Sequence, residues 1–214
     1  TTEDALAIRT ESLSKSFGDV KALDGITLEV RKGEIFGLVG PDGAGKSTLM
    51  RLLAAVMEPT SGEAWVASYP INKASERIKE RIAYMPQRFG LYEDLTVMEN
   101  MTFYADIFDV PKAGRPARMD RLLGFSGLTP FTGRLAGQLS GGMKQKLGLA
   151  CALIHTPEIL FLDEPTNGVD PVSRRDFWKI LYELLKEGTT VFVSTSYLDE
   201  AERCTEVGLI YEGR

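Results

Sequence analysis

Apolar residues fall along this chain in two kinds of run. Short runs at 35–39, 158–162 and 190–193 have the length and the branched or aromatic make-up of strands buried on both faces. Longer stretches carry helical periodicity. One covers 46–57 and is stopped by Pro59 and Gly62; another covers 173–186, with Gly188 just past its end. Strands alternating with helices predict an α/β fold with a largely parallel sheet. Before Glu34 the pattern shortens to alternating runs such as 26–30, which predict an antiparallel sheet beside the main one. Residues 88 to 151 show helices and loops but no clear strand. Thr96 and Glu99 form a capping-box pattern ahead of an apolar stripe through Met101, Tyr104 and Phe108, and Pro111, Gly114 and Pro116 then break the chain. The expected organisation is one domain over 1–214. Residues 1–87 and 152–214 build the α/β core with its β subdomain, and 88–151 are an inserted helical subdomain.

Composition narrows the classes of function. The 214 residues are 43% hydrophobic, enough for one sizeable core. Twenty-five lysines and arginines against 30 acidic residues leave a net charge of -5, so no basic field favours nucleic acid as a partner. Cys151 and Cys204 are far apart and lack disulfide-framework or metal-ligand spacing, and the single His155 adds nothing to them. No apolar run approaches the roughly 18–20 residues of a membrane span; the longest, 147–154, is too short. The chain opens without methionine and stops at Arg214 just after an apolar run, which reads as a piece of something longer.

Candidate chemistry begins at Gly40-Pro41-Asp42-Gly43-Ala44-Gly45-Lys46-Ser47, followed by Thr48. This is a G-x-x-x-x-G-K-S loop between a predicted strand and a predicted helix. A loop that wraps a polyphosphate must aim backbone N–H groups inward. Glycines allow that approach, and the helix N-terminus adds partial positive charge. Lys46 suits the β- and γ-phosphates of a nucleoside triphosphate such as ATP, and Ser47 suits Mg²⁺. Alone, the loop says only that a nucleoside triphosphate is bound.

The run Ile159-Leu160-Phe161-Leu162 ends in Asp163-Glu164. A buried parallel strand delivers both acids to the carboxyl edge of the sheet, where ligands bind in open α/β folds. Asp163 suits the Mg²⁺ shell and Glu164 suits a general base acting on water. A second helix-start anion site is encoded by Leu139-Ser140-Gly141-Gly142-Met143-Lys144-Gln145, with the Ser140 hydroxyl and the following amides available.

LSGGMKQ resembles the signature sequence of ABC ATPases and stands in that family's order, between the P-loop and the D-E strand end. The resemblance extends over nearly the whole chain. Gln87, in Tyr84-Met85-Pro86-Gln87, is similar to the family's Q-loop glutamine, which implies contact with Mg²⁺. Asn167-Gly168-Val169-Asp170 is similar to the D-loop, with Asn167 where serine is more usual. Phe17, in Lys15-Ser16-Phe17-Gly18, resembles the upstream aromatic that stacks on adenine. The family pairs two such domains head to tail, so the resemblance implies that Ser140, Gly141, Gly142 and Asp170 serve a partner's nucleotide. The partners implied are a second ABC ATPase domain and an integral membrane subunit. The place implied is the cytoplasmic inner face of the cell membrane.

The stretch around Met85-Pro86-Gln87 and 89–97 resembles exporters of the drug, lipid and polysaccharide type and the first half of tandem ATPase subunits. A non-transport ABC ATPase acting on the ribosome stays open as the alternative. Ser196 occupies the position where the family places a histidine that contacts the γ-phosphate. Serine is shorter and carries no positive charge, so the resemblance implies a weak or silent hydrolytic site in this chain, complemented by a competent one opposite.

Overall fold

The computed structural model describes residues 5–214, and the reading of residues 1–4 as part of the core lies outside them. The chain divides into two compact units. The first comprises residues up to Tyr84, Pro157–Pro165 and Leu184–Arg214; the second comprises Met85–Thr156 and Thr166–Glu183.

The first unit holds two sheets. β1 (Leu6–Phe17), β2 (Val20–Arg31), β4 (Ser61–Val66) and β5 (Tyr69–Pro70) form a four-stranded antiparallel sheet in the order β2-β1-β4-β5; the alternating runs before Glu34 predict its first two strands, and β4 and β5 join them from beyond that stretch. The second sheet has the order β6-β7-β8-β3-β9. Its strands are β3 (Ile35–Val39), β6 (Ile82–Met85), β7 (Ile159–Asp163), β8 (Thr190–Thr195) and β9 (Glu206–Leu209). The pairs β3–β8, β3–β9 and β7–β8 are parallel. Every residue of β3, β7 and β8 is buried, as expected of parallel strands covered on both faces. Phe36 stacks on Phe192 at 5.1 Å between ring centroids, and Phe161 packs on Phe192 at 5.7 Å.

Register then decides where the chemistry goes. Val39 lies opposite Thr195, and Asp163 lies opposite Ser194. β3 and β8 therefore end level and β7 ends one residue short of them, so Gly40 and Ser196 emerge side by side and Glu164 emerges next to Thr195 at the same edge.

α1 (Lys46–Leu53) leaves this edge and is shorter than the predicted 46–57. Ala55 adopts φ 55°, a left-handed conformation that ends the helix before Pro59 is reached. α2 (Ser75–Lys79) precedes β6, and α7 (Leu198–Ala201) follows β8.

The second unit is helical. α3 (Val97–Ile107) begins with the predicted capping box: the Glu99 side chain accepts from the Thr96 N–H at 2.8 Å, and Thr96 Oγ1 accepts from the Glu99 N–H at 3.1 Å. α3 packs with α4 (Arg115–Phe125) and α5 (Gly141–Ala152) around Val97, Met101, Ala105, Leu123, Leu147 and Cys151. The buried face of α3 thus follows Val97, Met101 and Ala105, and the predicted stripe is displaced. Tyr104 is only half-buried, and Phe108, just past the helix, stacks on His155 at 4.1 Å. α6 (Pro171–Lys186) begins two residues before the predicted start, with Pro171 at its first position.

Candidate functional site

The glycines of the 40–47 loop are required by their surroundings. A Cβ on Gly40 would run into the Ile210 carbonyl oxygen, and one on Gly45 would lie 2.7 Å from that of Ala22. Gly43 and Gly45 take φ 80° and 107°, which only glycine adopts without strain. Gly45 is the N-cap of α1 and provides no side-chain cap, so the first-turn N–H groups that lack helical partners are left to a ligand.

Lys46 follows and is almost wholly buried, 4% exposed. Its Nζ lies 2.6 Å from the Gly40 carbonyl, 2.9 Å from that of Pro41, 3.0 Å from Glu164 Oε1 and 3.1 Å from Ser196 Oγ. An ammonium has three protons, so these four acceptors share them. The lysine is a buried cation already seated at the edge of the sheet.

Asp163 is buried at the end of β7, and one of its oxygens, Oδ1, accepts from Ser194 Oγ at 2.8 Å. Ser194 Oγ in turn accepts from the Glu164 N–H at 3.0 Å. One buried hydroxyl therefore fixes both consecutive acids. Glu164 itself has φ 47°, a strained conformation for a residue with a side chain. The turn out of β7 and the Ser194 bond hold it there, and its carboxylate comes back over the loop to Lys46. Ser196 Oγ stands 3.1 Å from Glu164 Oε1 and 3.2 Å from Asp42 Oδ1. Tyr84, on β6, has its phenol pushed up from the ordinary range, first by burial and then by the Asp163 carboxylate.

Phe17 closes β1 with its ring 48% exposed, and Lys15 Nζ lies 5.2 Å from the ring centroid. Lys15 also donates to the Glu58 carbonyl at 2.7 Å.

The remaining sequence candidates belong to the second unit. Gln87 is exposed in the irregular segment after β6. Ser140 is the N-cap of α5, its hydroxyl accepting from the Met143 N–H at 3.3 Å. Gly141 is exposed, whereas Gly142 is buried so closely against Ser173 that a Cβ there would overlap the serine side chain. Asp170 caps α6, its Oδ1 accepting from the N–H groups of Val172 at 3.1 Å and Ser173 at 2.9 Å. Those bonds, that from Ser173 first, hold its carboxyl below the ordinary carboxylate range.

Of the candidates, the structure gathers Asp42, Lys46, Glu164 and Ser196 into one contact set, with Asp163 tied to it through Ser194. Sequence reasoning missed Ser194, and also the buried bond from Thr195 Oγ1 to Glu200 Oε2 at 2.6 Å. The available signal was two hydroxyl residues ending a strand whose middle, 191–193, is apolar.

A family model described as ABC transporter matches residues 23–167. The chain belongs to the ABC transporter family, as an ATP-binding domain. It is 52% identical over 208 residues to the probable multidrug ABC transporter ATP-binding protein YbhF of Escherichia coli (strain K12). The match covers 96% of this chain but 36% of that relative, so the chain spans about a third of its length. Among solved structures, cbiO1 from Clostridium perfringens, part of the ABC transporter complex cbiONQ, superposes with a TM-score of 0.90 at 29% identity, over 98% of this chain and 86% of that one. The dimeric bacterial ABC transporter cassette MJ0796 superposes with a TM-score of 0.85 at 27% identity, over 96% and 95%. Among the described residues of this ATP-binding domain, no helix is long and apolar enough to cross a membrane.

Proposed function

We propose that this domain binds ATP with Mg²⁺ and hydrolyses it as one half of a head-to-tail pair that powers export by a membrane partner. The observation that carries the reading is that β3, β7 and β8 end within one residue of each other, which sets a phosphate loop, a buried aspartate, a glutamate and Lys46 at one edge. Gly40 to Thr48 wrap the phosphates, Lys46 leaves its carbonyl acceptors for the β- and γ-oxygens, and Phe17 offers its exposed ring to adenine. Glu164, an acceptor placed beside that lysine, takes a proton from the attacking water.

Among the described residues no three of His, Cys, Asp and Glu are grouped to hold a metal, so Mg²⁺ needs oxygens brought by the nucleotide. Asp163 fits such a shared site. It is an oxygen donor with Oδ1 already oriented by Ser194, and Ser47 and Gln87 would join it. When bound, Mg²⁺ neutralises charge on the phosphates.

Ser140, Gly141, Gly142 and Asp170 are assigned to the partner's nucleotide, which accounts for a second helix-start anion site in one chain. The cassette MJ0796 forms a dimer and cbiO1 belongs to a transporter complex, which supports the two partners, a second ABC ATPase domain and a membrane subunit. The multidrug ABC transporter name of the E. coli relative supports a transport role, which we take as export from the cytoplasmic face of the membrane. Ser196, in the position of the family's histidine, makes this chain's own site a slow one.

Lys46→Ala tests the reading. Loss of a buried charge-assisted partner for the phosphates removes about 2–3 kcal/mol, so ATP affinity falls roughly 30- to 150-fold in a direct titration. Unchanged affinity refutes the assignment.

A further inference from the structure

We infer that Gly213 is a positioning residue for the nucleotide site: its N–H pins the Ala44 carbonyl and so aims the Gly45 N–H at the phosphates of ATP. The inference rests on the nucleotide reading above and assigns a task to a segment that lies outside the phosphate-loop motif.

After β9 the chain comes back to the loop. Ile210 is buried and donates its N–H to the Val39 carbonyl at 2.8 Å. Tyr211 and Arg214 then exchange two backbone hydrogen bonds of 3.0 Å. Between them Glu212 and Gly213 take φ 48° and 76°. Two left-handed residues inside a reciprocally bonded pair make a tight two-residue turn. Gly213 is buried and spends both of its backbone groups outside this turn. Its carbonyl accepts from the Asp24 N–H of β2 at 2.8 Å, and its N–H donates to the Ala44 carbonyl at 3.0 Å. A side chain would not fit there, since a Cβ would lie 2.6 Å from the Ala22 carbonyl oxygen. Outside, Arg214 closes the turn on β2, its Nε 2.9 Å from Asp24 Oδ2.

A trans peptide is planar, and its C=O and N–H point in opposite directions. The Ala44–Gly45 peptide is trans, so fixing the Ala44 oxygen on Gly213 directs the Gly45 N–H away from the turn. Ala22, Leu23, Ile210 and Gly213 back the loop on the turn's side, which leaves that N–H to the side open to a ligand. The need for an outside anchor follows from the loop's own composition. Glycines at 40, 43 and 45 let the backbone approach phosphate, and the same freedom lets a peptide beside them flip. Gly213 removes the flipped state before ATP arrives, so the ordering cost is not charged to binding.

The test titrates ATP in the full-length assembled protein, with the P-loop lysine of any second ATP-binding domain substituted so that only this chain's site is read. Glycolic acid incorporated at position 213 turns the amide into an ester. It removes the N–H alone and keeps the carbonyl that Asp24 uses. ATP affinity should fall about three- to tenfold, the equivalent of one hydrogen bond, with kcat at saturating ATP within about twofold. Inorganic tripolyphosphate competing for the site should weaken by the same factor, because the misdirected donor faces phosphate. Gly213→Ala should lower affinity further, about 10- to 100-fold, as its methyl group wedges the turn off the loop. Arg214→Gln opens only an exposed ion pair and should stay within about twofold. Unchanged ATP affinity in the ester variant overturns the inference. So does a loss that tripolyphosphate does not share, a fall in kcat with KM unchanged, or an Arg214→Gln loss as large as that of the ester. Lys46→Ala run alongside separates the two levels. If it abolishes ATP binding while the ester variant binds like the native protein, only this inference falls; if it leaves binding intact, the nucleotide reading falls with it.

Discussion

Replacing Ser194 by alanine removes a hydroxyl with no accessible surface that is bonded on both sides. Its loss strips Asp163 Oδ1 of a donor at 2.8 Å and the Glu164 N–H of an acceptor at 3.0 Å. The carboxylate is buried, so its missing bond costs about 1.5–3 kcal/mol; the partly buried amide adds about 1 kcal/mol. No large cavity opens, since a single oxygen is removed. The sum, about 2.5–4 kcal/mol, corresponds to a melting-temperature drop of roughly 5–15 °C for a chain of this size. Thermal unfolding followed by circular dichroism reads that shift directly. Catalysis should suffer as well, because Glu164 holds its left-handed backbone partly through this bond. A drop below about 2 °C would show that Asp163 and Glu164 are held by other means, and the reasoning would fail.

Glu164→Gln keeps the shape of the proposed base and removes its proton affinity. ATP binding should persist while turnover at that site falls about 10²- to 10⁴-fold in steady-state assays, and native-rate hydrolysis would clear Glu164 of the role. Gly142→Ala forces a methyl group against Ser173 and should cost about 1–3 kcal/mol, visible as a lower denaturant midpoint. Asp170 carries a depressed carboxyl pKa, so its charge stabilises the fold above the ordinary carboxylate range, near about 4, and that contribution is lost as the pH falls through its lower folded value. Melting curves of Asp170→Asn and the native chain should accordingly differ at neutral pH and converge on acidification; a gap that stays constant down to strongly acid pH rules out the charge as its source.

What the sequence made legible was whatever chemistry is written in consecutive residues. The loop at Gly40–Ser47, the acids after Leu162, the Ser140 cap and the Thr96–Glu99 box each specify a local backbone shape, so their placement followed from pattern alone. The misses have a different origin. β6 is four residues long and lies next to a segment already read as loop, and its partners are distant in sequence. α1 ends early because Ala55 turns left-handed, which no propensity of alanine announces. The displaced stripe on α3 arose because Phe108 is the helix cap, where a ring stacks on His155 and does not enter the core. Ser194 escaped notice, and Asp42 was legible only as a member of the phosphate loop, because their contacts depend on which strands lie side by side. The order β7-β8-β3 is a long-range fact that neither residue's neighbours in sequence encode.

That strand order also governs which genetic changes the domain can survive. Gly40 and Ser196 stand level, with Glu164 one residue behind them, only because β3, β7 and β8 run in fixed register from their first paired residues to their last. A single-codon insertion or deletion inside any of the three would slide its terminal residue by about 3.3 Å and turn the side chain to the opposite face of the sheet. Point substitutions in these strands change packing by degrees, whereas frame-preserving length changes would dismantle the alignment in one step. A deep insertion-and-deletion library should therefore leave 35–39, 159–163 and 190–195 almost empty of tolerated variants while filling surface turns such as the one at Gly114.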